Sequence, residues 1–336
     1  MPIRFKRALV HPLGAVVCLV GLGLGWPEAL RAEVASATDP GPWVRAQDHA
    51  LTGGIARLRS PGSRVVRLPR GEFWMGSTPD EIARVAADCA LASGIRLNDD
   101  AAREPCNEQA LATELPRHRV RLSSFWLDRT EVTVADYQQC VVRGRCAPVP
   151  FARGARRFAE PDLPVSLVTL ADAEGYCRQR GARLPTEAEF ERAARGLGSR
   201  RYPWGETFHS RVANHGRFGV DRTDGCDGFT ELAPVGSLPA GRTPEGLLDL
   251  AGNVAEWVAD LFAPYSPAMA VDPTGPGGPL GSAAASGTHV VRGGDYQSPP
   301  PLLRGASRRP TDPLDRRPWI GFRCARSERG PSPSGR

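Results

Sequence analysis

The sequence has almost no lysine, no cysteine pair at metal-binding spacing and, past its first residues, no long apolar run. Lys6 is the only lysine among 43 basic residues, and the arginines are scattered among 37 acids rather than gathered on one stripe. A formal charge of +6 spread in this way reads as solvated surface, not as a nucleic-acid footprint. No segment after the N-terminus is apolar enough to cross a bilayer. None of the 8 cysteines forms a C-x-x-C pair, so zinc-thiolate and dithiol redox sites start without support. The sequence carries no internal repeat, nucleophile elbow or phosphate loop. His118, His209, His215 and His289 show no ligand spacing and read as surface or hydrogen-bonded residues.

What the chain has in excess is loop. Its 32 prolines and 37 glycines make about a fifth of the 336 residues, which predicts short elements joined by irregular backbone. Residues 1–32 read as a signal peptide: Arg4, Lys6 and Arg7, then an apolar run, then the small-residue sites "LRA" and "ASA", with cleavage after Ala32 or Ala37. An uncleaved anchor is disfavoured by its short length and by His11 and Pro12, and Cys18 lacks the small preceding residue that lipidation sites want. Secreted or periplasmic localisation follows, and with it permission for disulfides. Without Cys18 seven cysteines remain, an odd number, so at least one is free or paired between chains. Cys140 with Cys146 can clip a turn, and Cys89 with Cys106 can close a loop in a polar insertion.

Residues 33–62 read as a linker, 63–327 as one domain without an internal break, and 328–336 as a disordered tail. Val65–Leu68 and Glu72–Met75 look like short strands around a turn, and "RHRVRL" alternates as a strand does. The polar insertion 78–113 holds a brief helix near Ile82–Leu91. Thr133 with Asp136, Thr169 with Asp172 and Thr186 with Glu189 fit the capping box, opening three helices. The second, Leu170–Arg180, stops before Gly181, and the third, Glu187–Arg195, before Gly196. "HVVRGGDY" and "WIGFRCAR" are the closing strand candidates.

Two oxygen-rich stretches stand out. "DLAGNVAEW" sets Asp249 and Glu256 in an apolar run, and buried carboxylates need a partner. "VANHG" and "DGCDGF" offer Asn214 and Asp227. Carboxylate, amide and carbonyl oxygens suit Ca²⁺, but the twelve-residue calcium loop is missing and the plainer reading is that these side chains cap turns.

Seven stretches in one order resemble the formylglycine-generating, sulfatase-modifying-factor family over roughly 63–327. They are "GEFWMGS", "ELPRHRVRLSSFWLDRTEVTVADY", "PVSLVTLADAEGYCRQRGARLPTEAEFERAARG", "YPWG", "PVGSLPAGRTPEGLLDLAGNVAEW", "VVRGGDY" and "GFRCAR". The resemblance implies an irregular, loop-rich single α+β domain of the sulfatase-modifying-factor type, related to C-type lectins. It implies two calcium sites: Asn214, the His215 carbonyl, Asp227 and the Phe229 carbonyl in one, and Asp249, the Gly252 and Val254 carbonyls and Glu256 in the other. It implies a Cys177–Cys324 disulfide, while Ala194 and Gly305 stand where the family has a second.

Enzymes of this family oxidise a sulfatase cysteine to an aldehyde with O₂ and copper(I) held by two cysteines. Both lie shortly after the Gly-Gly that this chain has in "RGGDYQSPPPLLRGASRRP". Here Ser298 stands at the first position, and the second falls in a shortened stretch with Pro299, Pro300 and Pro301. A serine hydroxyl is a hard, neutral donor and cannot replace a copper thiolate. Copper is therefore not expected, Cys226 alone cannot make a two-thiolate site, and no residue is assigned a catalytic role. Related iron-dependent sulfoxide synthases need an extra helical domain that this chain lacks. Arg292, Arg304, Arg308 and Arg309, with Trp204 and Trp319, could instead line a groove for a peptide or acidic ligand; the competing reading is that the arginines make internal salt bridges. The expectation is a calcium-stabilised binding or accessory module. The alternative is an oxidase acting on a sulfatase or peptide by another route.

Overall fold

Alternation along His118–Leu122 is the simplest seed of the architecture, with His118, Val120 and Leu122 buried and Arg119 and Arg121 exposed. This strand, β3, pairs antiparallel with β2 (Gly71–Met75), Val120 facing Phe73. The structure is a computed structural model that describes residues 64–93, 108–150, 155–218, 223, 225–275 and 287–328. The expected signal peptide, linker and most of the tail lie outside these residues, as does Cys106. Among them no helix is long and apolar enough to cross a membrane.

Three small sheets result. β1 (Val65–Leu68), β4 (Phe125–Asp128) and β10 (Ala325–Ser327) form one, in the order β1-β4-β10. β2 and β3 form the second with β6 (Ala270–Val271), which runs parallel to β3. The third has the order β8-β7-β5-β9, from β5 (Ala255–Leu261), β7 (His289–Arg292), β8 (Arg308–Thr311) and β9 (Ile320–Gly321). Pro310 is tolerated in β8 because that strand is an edge. The closing stretch "WIGFRCAR" makes two strands, not one. Arg323 turns its side chain into the protein between them, where it donates to the carbonyls of Asp128, Arg129, Leu248 and Asp249.

Among the described residues the α-helices are α1 (Pro79–Ser93), α2 (Glu108–Ala112), α3 (Val134–Val142), α4 (Leu170–Gln179) and α5 (Glu187–Arg195). Thr169 and Thr186 make full capping boxes. At α3 the box is half-made: Thr133 accepts from the Asp136 N–H, but the Asp136 carboxylate turns to Arg64 at 2.9 Å. Gly181 and Gly196 follow α4 and α5 with φ of 63° and 66°, as left-handed stops. A central core gathers Tyr137, Tyr176, Trp257 and Phe322, the Trp257 Nε1–H donating to the Val168 carbonyl at 3.1 Å.

α5 is buried along its whole length although five of its nine residues are charged. Its carboxylates hold the third sheet. Glu187 accepts from Arg308 Nε (2.7 Å) and Nη2 (2.8 Å), from Arg292 Nη1 (3.3 Å) and from the Tyr265 hydroxyl (3.0 Å). Glu191 accepts from Arg292 Nη2 (2.6 Å), Arg195 Nη1 (2.9 Å) and the Gly76 N–H (2.7 Å). Burial pushes the Glu191 carboxyl up, but the two guanidiniums more than offset it and hold it below the ordinary range. Asp260 differs. Burial, with the Glu187 charge second, raises its carboxyl to about 8, while its Oδ2 accepts from the Glu187 N–H at 2.7 Å.

Cys140–Cys146 and Cys177–Cys324 are both bonded, with sequence separations of 6 and 147. Cys89 is disulfide-bonded as well. So is Cys226, which removes it as a spare thiol.

Two outcomes follow. Opening Cys177–Cys324 by a double alanine substitution should lower the unfolding free energy by about 5 kcal/mol, against roughly 2 for Cys140–Cys146, because loop entropy grows with loop length; urea titration of the two variants tests the order. The raised Asp260 pKa means the folded state keeps a proton that the unfolded chain releases above the ordinary value of 3.8. Stability from this group is therefore greatest at low pH and falls up to about pH 8, at a slope approaching about 1.4 kcal/mol per pH unit. Asp260→Asn should flatten that part of the stability–pH curve, measured by denaturant unfolding between pH 5 and 8.

Candidate functional site

The stretch Asp249–Trp257 leaves the surface abruptly. Asp249, Gly252 and Asn253 take φ of 55°, 85° and 61°, and a Cβ on Gly252 would meet the Asn214 carbonyl oxygen at 2.1 Å. Only glycine allows this approach. It brings the two oxygen-rich stretches together, and Asn253 joins them. Its Oδ1 accepts from Asn214 Nδ2 (3.1 Å) and from the Ala233 N–H (2.9 Å), and its Nδ2 donates to Glu131 Oε1 (3.0 Å).

On one side, Asp227 accepts from the N–H groups of His215 (2.7 Å) and Phe229 (2.8 Å), and Asn214 Nδ2 donates to the Glu231 carbonyl (2.8 Å), which ties the two stretches together. Asn214 Oδ1 is buried with no hydrogen-bond partner. A buried, orphaned acceptor in an oxygen-rich stretch fits a hard cation.

On the other side, Glu256 is fully buried and meets Arg323, with contacts of 2.7 and 3.0 Å to Nε and 2.7 Å to Nη2. The carboxylate expected to face calcium therefore already faces a guanidinium. Two further carboxyls share that single positive charge. Asp249 accepts from the Gly236 N–H at 2.6 Å, and Glu131 has one oxygen without a partner. Burial raises all three above the ordinary carboxyl range; for Glu131 the Asp249 charge is the next cause. Three buried carboxyls against one arginine are incompletely offset by protein groups, and the oxygens a divalent cation would use here are those of Asp249 and Glu256 with the Gly252 and Val254 carbonyls. Val254 is buried beside the Glu256 strand. Sequence reading missed Glu131 and Arg323; the only signal was their place in the quoted "RTEVT" and "GFRCAR". Among the described residues no group of three or more His, Cys, Asp or Glu side chains is arranged to hold a metal, so each cluster depends on amide and carbonyl oxygens.

The altered loop lies elsewhere, against a cleft of about 330 Å³ whose lining includes Leu111, Glu114, Phe262, Val291, Ser298, Leu302 and Arg309. Ser298 is buried; its N–H donates to the Asp295 carbonyl (2.8 Å) and its Oγ accepts from the Asp295 N–H (3.1 Å). The proline run becomes a 3₁₀ turn, Pro300–Leu303. The Tyr202 hydroxyl donates to the Pro300 carbonyl (3.3 Å), and Arg304 Nε donates to the Pro301 carbonyl (2.8 Å).

Of the two readings of the arginines, groove lining or internal salt bridges, three of the four follow the second. Arg292 is fully buried against Glu187 and Glu191, Arg304 is clamped by both oxygens of Glu114 at 2.6 and 2.8 Å, and Arg308 is held by Glu187. These side chains are internal because each has a buried carboxylate partner. Arg309 alone is half-exposed, with one contact of 3.3 Å to Asp295. Trp204 stacks on Tyr202 at 5.2 Å and lines a separate shallow pocket, and Trp319 lies under Arg317. The histidines are also more internal than expected: His118, His215 and His289 are buried, with His118 Nδ1 3.0 Å from the Pro116 carbonyl.

Comparison with known proteins bears on what this scaffold is. Residues 55–328 match the sulfatase-modifying factor enzyme 1-like domain. A formylglycine-generating enzyme of Streptomyces coelicolor is 33% identical over 87% of this chain and 94% of its own length, and one of Bos taurus is 30% identical over 79% and 75%. The inactive C-alpha-formylglycine-generating enzyme 2 of Mus musculus is 45% identical over a shorter stretch, 33% of this chain and 36% of its own. Among solved structures, PvdO from Pseudomonas aeruginosa superposes with a TM-score of 0.57 at 26% identity, over 79% of this chain and 94% of that one. With the order of its motifs, its disulfide between α4 and the last strands and a match spanning nearly the whole described region, the chain belongs to the sulfatase-modifying factor enzyme 1-like family.

Proposed function

We propose that this protein is a secreted, calcium-stabilised binding or accessory member of its family without copper-dependent formylglycine-generating activity. One observation carries the reading: Ser298 occupies the position where the resemblance expects the first copper thiolate, and it is built into a turn by its own hydrogen bonds to Asp295. The neighbouring Pro299–Pro301 run supplies no sulfur, and Cys226 is tied up in a disulfide. A relative whose name marks it as inactive, 45% identical over its matched stretch, supports the same reading.

Calcium would be held by Asn214, Asp227 and the His215 and Phe229 carbonyls, and by Asp249, Glu256 and the Gly252 and Val254 carbonyls, with Glu131 beside them. It would supply positive charge to buried oxygens, and so stability, not chemistry. This chain's own residues do the rest: Arg323 neutralises Glu256, Asn253 bridges the clusters, and Asp227 orders the loop.

The rival reading is an oxidase acting on a sulfatase or peptide cysteine, favoured by the 33% identity with the Streptomyces coelicolor enzyme along most of both chains. Purified protein incubated with a sulfatase-motif peptide, copper and O₂ separates the two. Mass spectrometry should show the thiol unchanged, and aldehyde formation abolished by Ser298→Ala would overturn the proposal. Separately, millimolar calcium should raise Tm by several degrees over excess chelator, and Asn214→Leu should shrink that shift; an equal Tm in both buffers would remove calcium from the account.

A further inference from the structure

The cleft beside Ser298 has an asymmetry that the reading above does not use. Its walls are largely apolar, from Leu111, Phe262, Val291 and Leu302. Of the charged side chains in its lining, two are saturated from within. Glu114 receives both Arg304 nitrogens and the Ser77 hydroxyl at 2.6 Å, and Arg308 gives two bonds to Glu187 while its guanidinium stacks on Phe262 and Tyr265 at 4.4 and 4.1 Å. The third, Arg309, is 46% exposed and keeps a single 3.3 Å contact with Asp295, whose other oxygen is taken by the Gln297 N–H. Ser298 Oγ accepts from the Asp295 N–H, and its hydroxyl proton has no protein acceptor among the described residues.

One wall is fixed rather than mobile. The segment after α2 contributes Thr113 and Glu114, and it is pinned to the altered loop by the Arg304–Glu114 pair and by Arg308 Nη1 donating to the Thr113 carbonyl at 3.1 Å. With that wall in place the cleft holds about 330 Å³, the lower end of the range for small-molecule sites. An apolar chamber of this size, with one under-used guanidinium and one free hydroxyl proton at its polar side, matches an apolar tail ending in a carboxylate.

We propose that this cleft binds a small amphipathic carboxylate, its anionic head on Arg309 and Ser298 and its apolar part against Leu111, Phe262, Val291 and Leu302. The proposal rests on the non-oxidase reading of the same loop, since a small ligand seated on Ser298 replaces the thiol chemistry expected there.

The test titrates the full chain by calorimetry with octanoate, and with octylamine and octanol, which share the tail but not the anion. Octanoate should saturate the protein, and octylamine should not. Arg309→Gln should weaken octanoate about tenfold, the scale of one charge-assisted contact, and Leu302→Trp should abolish binding by filling the chamber. Octanoate should also raise the wild-type Tm where octylamine does not, a comparison that needs no variant to fold. No octanoate saturation, equal binding of octanoate and octylamine, an unchanged affinity in Arg309→Gln, or displacement of octanoate by an extended sulfatase-motif peptide would each overturn the inference. If octanoate is silent and no aldehyde forms, only this inference falls; if aldehyde forms, the non-oxidase reading falls with it.

Discussion

The buried ion pairs between α5 and the third sheet are the constraint on which the rest of the molecule depends. Glu187 and Glu191 lie on adjacent turns of one helix, four residues apart and therefore on one face. Between them they fix Arg292 at the end of β7 and Arg308 at the start of β8, the two residues paired across that hairpin. Removing one partner of such a pair strands a charge in the interior, at a typical cost of about 3–5 kcal/mol. Replacing a whole pair by apolar groups can be nearly neutral. The network is therefore better understood as fixing position than as adding stability. It decides where the chain from Gly293 to Ser307 begins and ends, and that chain is the altered loop.

This is also why the sequence left the arginines between two readings, a groove and internal salt bridges. Arg292 meets Glu191 across 101 residues, Arg304 meets Glu114 across 190, and Arg323 meets Glu256 across 67. Periodicity and capping describe neighbours along the chain, so they found β1, β3, α4 and α5 nearly to the residue. They carry no information on which distant carboxylate a given arginine will reach. The half-made box at Thr133 is the same failure at short range, because Asp136 had a better partner in Arg64. "WIGFRCAR" read as one strand because an arginine in a strand usually points to solvent, yet the strand breaks where Arg323 turns inward. The oxygen-rich stretches were legible only as far as the family's motifs reached: Asp227 receives the His215 N–H and the Asp249 charge acts on Glu256, whereas Glu131 stood inside a quoted stretch with nothing to mark it as their neighbour.

Asn253 and Gly252 form a second, smaller constraint. A left-handed asparagine is tolerated when its short side chain is fully bonded locally, and here it serves Asn214, Ala233 and Glu131 at once. Gly252 lets the backbone touch the Asn214 carbonyl. Together they hold two oxygen-rich loops in register whether or not a cation lies between them. The charge balance is what they leave unresolved, with Glu131, Asp249 and Glu256 sharing Arg323.

These two constraints are anchored away from the positions where the family's enzymes carry their copper thiolates. The Glu187–Glu191 network holds the ends of the altered loop, and the Asn253 joint holds the floor under it, where the Tyr296 N–H donates to the Asn253 carbonyl at 3.0 Å. Neither uses a sulfur ligand. Within the loop, Pro300 and Pro301 have their carbonyls taken by Tyr202 and Arg304, so the backbone is fixed by contacts of its own. A scaffold whose load is carried by carboxylates, guanidiniums and one asparagine can exchange a thiolate for a hydroxyl without losing its shape. The cleft keeps its walls, and the half-exposed Arg309 is the least neutralised of the charged side chains that line it.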